Sequence, residues 1–109
     1  MKRLIHILES NGTGVLRGNF RSNISFEGIF RRLEIKSKRK FEFKFSLGRE
    51  FIGHLIVPIN EIKLLERDTI VIPNRSFDFK TRVLKMNCSF FLTFHRNKEN
   101  FGEFWAIKN

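Results

Sequence analysis

The sequence predicts an all-β fold: a small antiparallel sandwich or barrel of seven to nine short strands, with at most one short helix, at about residues 60–67. Three observations carry this. Turn residues punctuate the chain roughly every 8 to 12 residues, the spacing of short strands joined by tight connections. Between the turns apolar and polar residues alternate, the period of a strand with one buried face. The apolar set is led by 14 Phe, far too aromatic for a disordered chain, so the strands share a packed core. At 109 residues the chain is the length of one domain, 1–109, with one core.

Leu4 to Leu8 reads as a first strand, ended by Ser10-Asn11-Gly12-Thr13-Gly14, whose Asn-Gly step tolerates the positive φ of a hairpin turn. Val15 to Phe20 returns antiparallel. From Ile24 the pattern alternates through Phe26, Gly28 and Phe30, then slips to Leu33 and Ile35, as an extra residue in a β-bulge produces. Ser37 to Lys40 forms the tip of the next hairpin. Phe41-Glu42-Phe43-Lys44-Phe45 then sets three rings on one face and two opposite charges on the other.

Gly48-Arg49-Glu50 turns the chain into Phe51 to Val57, apolar on both faces apart from Gly53 and His54, the signature of a central strand with His54 buried. After Pro58 the helix begins, with Asn60 as N-cap, Glu61 in the first turn and Ile59 stapled to Leu64. It ends before the β-branched run Ile70-Val71-Ile72, and Pro73-Asn74-Arg75 turns again. Phe77, Phe79 and, after a slip, Val83 share one face of the next strand. Cys88, Phe90, Leu92 and Phe94 share a face of the one after, with Ser89, Phe91, Thr93 and His95 opposite. Asn97 to Gly102 reads as a loop and Phe104 to Ile107 as the last strand.

Several classes of chemistry are disfavoured. Asp68 and Asp78 are the only Asp residues, too few for a calcium cage or a two-metal phosphoryl site. Cys88 is alone, so an internal disulfide is impossible and a zinc site lacks thiolate partners beyond the dispersed His6, His54 and His95. These histidines build no acid–base pair by spacing, and Cys88 sits in an apolar alternation, as core filler does. No Gly-rich phosphate loop joins a strand to a helix. The reading is a protein without catalytic residues, metal or cofactor. The triplets at Asn11, Asn23, Asn74 and Asn87 match the glycosylation pattern by chance in a chain rich in Asn, Ser and Thr. No apolar run reaches the length of a membrane span, and Glu9 interrupts the N-terminal apolar run, so a cytoplasmic protein with no membrane association is expected.

Charge supplies the functional expectation. Lys and Arg number 21 against 11 acids, a formal net charge of +10, which attracts polyanions. Arg31, Arg32, Lys36, Lys38, Arg39, Lys40 and Lys44 form a basic stretch interrupted by Glu34 and Glu42. On a protruding β-hairpin these cations would reach nucleic-acid phosphates with low sequence preference. The alternative use of such charge is to keep exposed strand edges from pairing. Phe91 and Trp105 are the rings available for stacking on bases, against the competing role of core packing. Arg17 with Arg21, and Lys80, Arg82 and Lys85, would add to the surface if the sheet order brings them to it. The leading expectation is a non-enzymatic nucleic-acid-binding protein, DNA and RNA undistinguished, forming a homo-oligomer. The alternative is a structural or interaction protein, an assembly subunit or inhibitor, docking on an acidic protein partner.

Overall fold

Seven antiparallel strands form one curled sheet, with a single α-helix across its concave side, in a computed structural model that describes residues 14–35, 38–80 and 84–109. The elements are β1 (Val15–Ser22), α1 (Phe26–Ile35), β2 (Lys40–Leu47), β3 (Glu50–Pro58), a single 3-10 turn (Ile59–Glu61), β4 (Lys63–Glu66), β5 (Thr69–Phe79), β6 (Leu84–His95) and β7 (Lys98–Lys108). Their order across the sheet is β3-β2-β1-β7-β6-β5-β4. The sheet curls far enough for the Lys80 amide, just past β5, to donate to the Ile52 carbonyl of β3 at 2.9 Å. The architecture is therefore a half-barrel. The all-β class with one short helix holds, and the expected first strand Leu4–Leu8 with its Asn-Gly turn lies outside the described residues.

Alternation decides which face each strand buries. Phe41, Phe43 and Phe45 are all 1% exposed or less, as are Phe90 and Leu92 on β6 and Phe79 on β5. Their rings meet on the concave side. The Phe45 ring lies 4.8 Å from Phe104, 5.2 Å from Phe90 and 5.6 Å from Phe77. Phe20 meets Phe94 edge to face at 4.9 Å. Gly102 makes that contact possible: it lies on β7 between Phe20 of β1 and Phe94 of β6. A Cβ there would run into the Thr93 carbonyl and come within 2.6 Å of the Phe20 ring.

The helix is in a different place from the one the sequence predicts. Ser25 caps α1, its hydroxyl accepting from the Gly28 amide at 3.1 Å, and the Ile29 amide donates to the Ser25 carbonyl at 3.0 Å. Phe26, Ile29 and Leu33, spaced three and four apart, pack on the core, with Ile29 fully buried and Phe26 5.5 Å from the Phe94 ring. The alternation from Ile24 to Phe30 is thus incidental: Ile24 precedes the helix, Phe30 lies exposed on its outer side, and no bulged strand forms there.

Around residues 60–67 the Ile62 amide closes one 3-10 turn on the Ile59 carbonyl at 3.1 Å, with no side-chain cap. Leu64, 40% exposed, makes no staple. Lys63–Glu66 is drawn instead into a hairpin with the β-branched start of β5.

Three smaller expectations also change. Among the described strands β3 is an edge: Phe51 and Ile56 are exposed, and so is His54. Pro73-Asn74-Arg75 is a bulge within β5, with Asn74 at φ 51°, so the strand runs on past it. Arg96-Asn97 alone joins β6 to β7, which takes the place of the loop expected at Asn97 to Gly102.

Gly102→Ala is expected to destabilise the fold by about 2 kcal/mol or more, because one obstacle is backbone and cannot rotate away. Phe45→Ala should cost about 3–5 kcal/mol through the cavity it leaves among five other rings. Urea unfolding of both variants followed by circular dichroism checks this, and a Gly102→Ala midpoint equal to the parent's would refute the close approach.

Candidate nucleic-acid interface

The basic stretch does not form a hairpin. Arg31 and Arg32 lie on α1, Lys36 is outside the described residues, Lys38 and Arg39 lie in the connection, and Lys40 and Lys44 lie on β2. Helix formation from Phe26 removes one arm of the expected ribbon and spreads its charges over a helix end and a strand. Arg31 pairs with Glu27 one turn earlier at 2.7 Å, and Arg32 sits 5.9 Å from the Phe41 ring. The Arg39 carbonyl accepts from the Ile59 amide at 3.0 Å, which holds the connection against the 3-10 turn. Lys38, Arg39, Lys40 and Lys44 are exposed.

The sheet supplies what the hairpin does not. Odd-numbered residues of β1 and even-numbered residues of β2 face outward, because their neighbours are the buried rings. Arg21 stands directly opposite Lys44, and Lys44 opposite His54, so one cross-strand row carries two fixed cations and an exposed imidazole. Arg17 and Lys40 lie on the same convex face, each four residues along its strand from this row, or roughly 13 Å at the rise of a strand. The register of β1 with β2 puts them at opposite ends. The result is a line of cations, Arg17, then Arg21 with Lys44, then Lys40, about 26 Å long and interrupted between Lys44 and Lys40 by Glu42 on the same face.

Aromatic rings run beside this line. Trp105 of β7 is paired with Arg17 and with Phe91 of β6, and Phe101 of β7 is paired with Arg21. The Arg17 guanidinium lies 5.2 Å from the Trp105 ring centre and that of Arg21 4.5 Å from Phe101, both within cation–π range. Trp105 and Phe91 are half-buried and Phe101 is exposed. Among the described residues, Arg17, Arg21 and Lys44 have no carboxylate within 4 Å, in contrast to Arg31 and to Arg75, which pairs with Glu61. Asn19 and Glu103, also paired with each other, lie between the two ring–guanidinium pairs, and a shallow groove of about 330 Å³ runs from them to Arg17 and Trp105.

The structure thus puts Lys44 and Lys40 from the basic stretch on the same convex face as both proposed stacking residues, Phe91 and Trp105, which lie at the Arg17 end of the line, opposite to Lys40. The residues that join them, Arg17, Arg21 and Phe101, are legible only as strand positions of like facing. Lys80, just past β5, lies over Phe51 of β3 at 5.1 Å and Lys85 of β6 stands opposite Asp78, so neither joins the line on β1 and β2, and Arg82 is outside the described residues. His54 and His95 sit on β3 and β6 with three strands between them in the sheet, and His6 is outside the described residues. Among the described residues no group of three or more His, Cys, Asp or Glu is arranged to hold a metal ion. No helix among them is long and apolar enough to cross a membrane.

Cys88 is 1% exposed on the concave face, and burial pushes its thiol up to about 11, against a smaller opposing pull from Lys108. The folded chain holds this proton more tightly than the unfolded one. The associated stability is complete below the ordinary thiol pKa and is lost as pH rises through about 11. Cys88 should therefore resist a disulfide-exchange reagent at pH 8 until denaturant is added, and Cys88→Ala should flatten the decline in stability on the alkaline side. Rapid labelling of the native chain would contradict this. Comparison with protein-family models, with curated proteins and with solved structures finds no match to this chain.

Proposed function

We propose that this protein binds nucleic acid through its phosphates, on the convex face of β1 and β2, with low sequence preference and without catalysis. The observation that carries the reading is the pairing of Arg21 with Lys44, flanked by Arg17 and Lys40 on the same face. Cations fixed on a sheet at regular spacing match the repeating charge of a phosphate backbone. Those resting on rings have no internal anion to exchange for a phosphate. The net charge of +10 supports this by raising the local concentration of any polyanion. Lys38 and Arg39, in the connection that leads into Lys40, extend the positive surface past the end of β2.

The reading includes self-association. Among the described residues the two edge strands, β3 and β4, expose Phe51, Ile56, Leu64 and Leu65, and apolar edges of this kind favour pairing with another copy. Light scattering is expected to give a mass above that of one chain; a monomer at high concentration would remove this part of the proposal.

Fluorescence anisotropy with labelled DNA and RNA, single- and double-stranded, at several salt concentrations tests the phosphate reading. The logarithm of the binding constant should fall linearly with the logarithm of salt concentration. Arg21→Ala and Lys44→Ala should each make that slope shallower by about 0.7–0.9. A double variant that binds like the parent would move the site elsewhere. Binding to no polymer at low salt would refute the proposal and turn attention to an acidic protein partner.

A further inference from the structure

We infer that the convex face takes single-stranded nucleic acid, with bases stacked on Trp105, Phe91 and Phe101 while the phosphates follow the cations of β1 and β2. The inference rests on the phosphate-binding reading and adds the class of polymer.

It comes from the register. Trp105 and Phe101 lie on β7 at the same two levels as Arg17 and Arg21 on β1, so rings and cations run as two parallel tracks one strand spacing apart, about 4.8 Å. Phe91 widens the ring track by one strand at the level of Trp105. A duplex offers this surface its phosphates but keeps its base faces stacked inside. An unpaired strand can place phosphates on one track and turn its bases onto the other.

The groove beside the Arg17–Trp105 pair strengthens the case. It is lined by Arg17, Asn19, Glu103 and Trp105, which surround a shallow opening with donors, acceptors and a ring. Glu103 is exposed in the ring track. Its carboxylate, one strand away from the cation track, can accept hydrogen bonds from the exocyclic amines of bases. Arg17, already lying on the indole, is placed to stack on a base edge-adjacent to Trp105, since a planar guanidinium stacks on aromatic faces.

Trp105 is the single Trp of a chain with no Tyr, so intrinsic indole emission reports on this site alone. The test titrates the protein with oligo(dT), oligo(rU) and a mixed-sequence duplex of equal length, about 16 nucleotides, reading anisotropy of the labelled polymer and Trp105 emission in parallel. Single strands should bind more tightly than the duplex and change the indole emission; the relative affinity of the two homopolymers identifies DNA or RNA as the preferred source. Trp105→Ala should weaken single-strand binding about 5- to 150-fold, the worth of one stacked base, with duplex binding little changed. Trp105→Phe, which keeps a ring and the fold, should retain most of the affinity. Equal binding of duplex and single strand with unchanged emission would overturn the stacking inference and leave the phosphate reading intact. Loss of binding in Trp105→Phe equal to that in Trp105→Ala would overturn it too. Binding to none of the three polymers would remove both.

Discussion

The structure depends on one aromatic cluster that must fit inside a curved sheet. Phe45 has ring neighbours from β1, β2, β5, β6 and β7, so strands far apart in sequence are drawn around a single side chain. A flat sheet could not bring β5 and β2 to the same ring, since β1, β7 and β6 lie between them in the strand order. Curling achieves it, and the glycines allow it. Gly102 lets Phe20 and Phe94 meet across β7, and Gly53, at φ 147°, lies against Phe77 where β3 approaches β5. α1 then covers part of the concave side, burying Ile29 against rings already in place.

This inner packing determines the outer surface. A strand has period two, so any slip of β1 by one residue would turn Leu16 and Phe20 out to water and Arg17 and Arg21 into the core. The strong apolar cost of that exchange locks the register. Arg17 is thereby held opposite Trp105, and Arg21 opposite both Phe101 and Lys44. The convex surface needs no interactions of its own to set which residues stand side by side. Its positions are fixed by the opposite face of the same strands.

How much of this could be read from the sequence follows from how local each signal is. The strands Phe41–Phe45 and Cys88–Phe94 are legible because strict alternation has no competing period. The segment from Ile24 to Ile35 fits two periods at once. Ile24, Phe26, Gly28 and Phe30 fit a strand, whereas the Ser25 cap, Glu27 four residues before Arg31, and Phe26, Ile29 and Leu33 fit the helix that forms. At Asn60 the converse holds: good capping residues precede a segment that tertiary pairing with Ile70 and Val71 takes as a strand. Phe51–Val57 reads as central because both its faces are apolar, but among the described strands it is an edge, and Phe51 and Ile56 stay exposed. The candidate site was half legible. Lys44, Phe91 and Trp105 stand out by type, but the pairings that join them span 23 residues of sequence from Arg21 to Lys44 and 88 from Arg17 to Trp105. Strand order is set by long-range contacts that no local pattern encodes.

The division of labour among the cations argues for function on the convex face over a merely solvated one. Charges kept only for solubility gain from nearby opposite charge, and Arg31 with Glu27 follows that pattern at an exposed helix face, where such a pair is worth a few tenths of a kcal/mol. Arg17 and Arg21 do not. Each lies over a ring, which steadies the long side chain without neutralising it, so less conformational entropy is lost when an anion arrives. A cation held in place and left unneutralised costs self-repulsion in the free protein, from Arg21 against Lys44 above all. An arriving phosphate relieves that repulsion. The row is thus least favourable when empty and gains most from an extended anion lying along it, which an isolated surface charge does not.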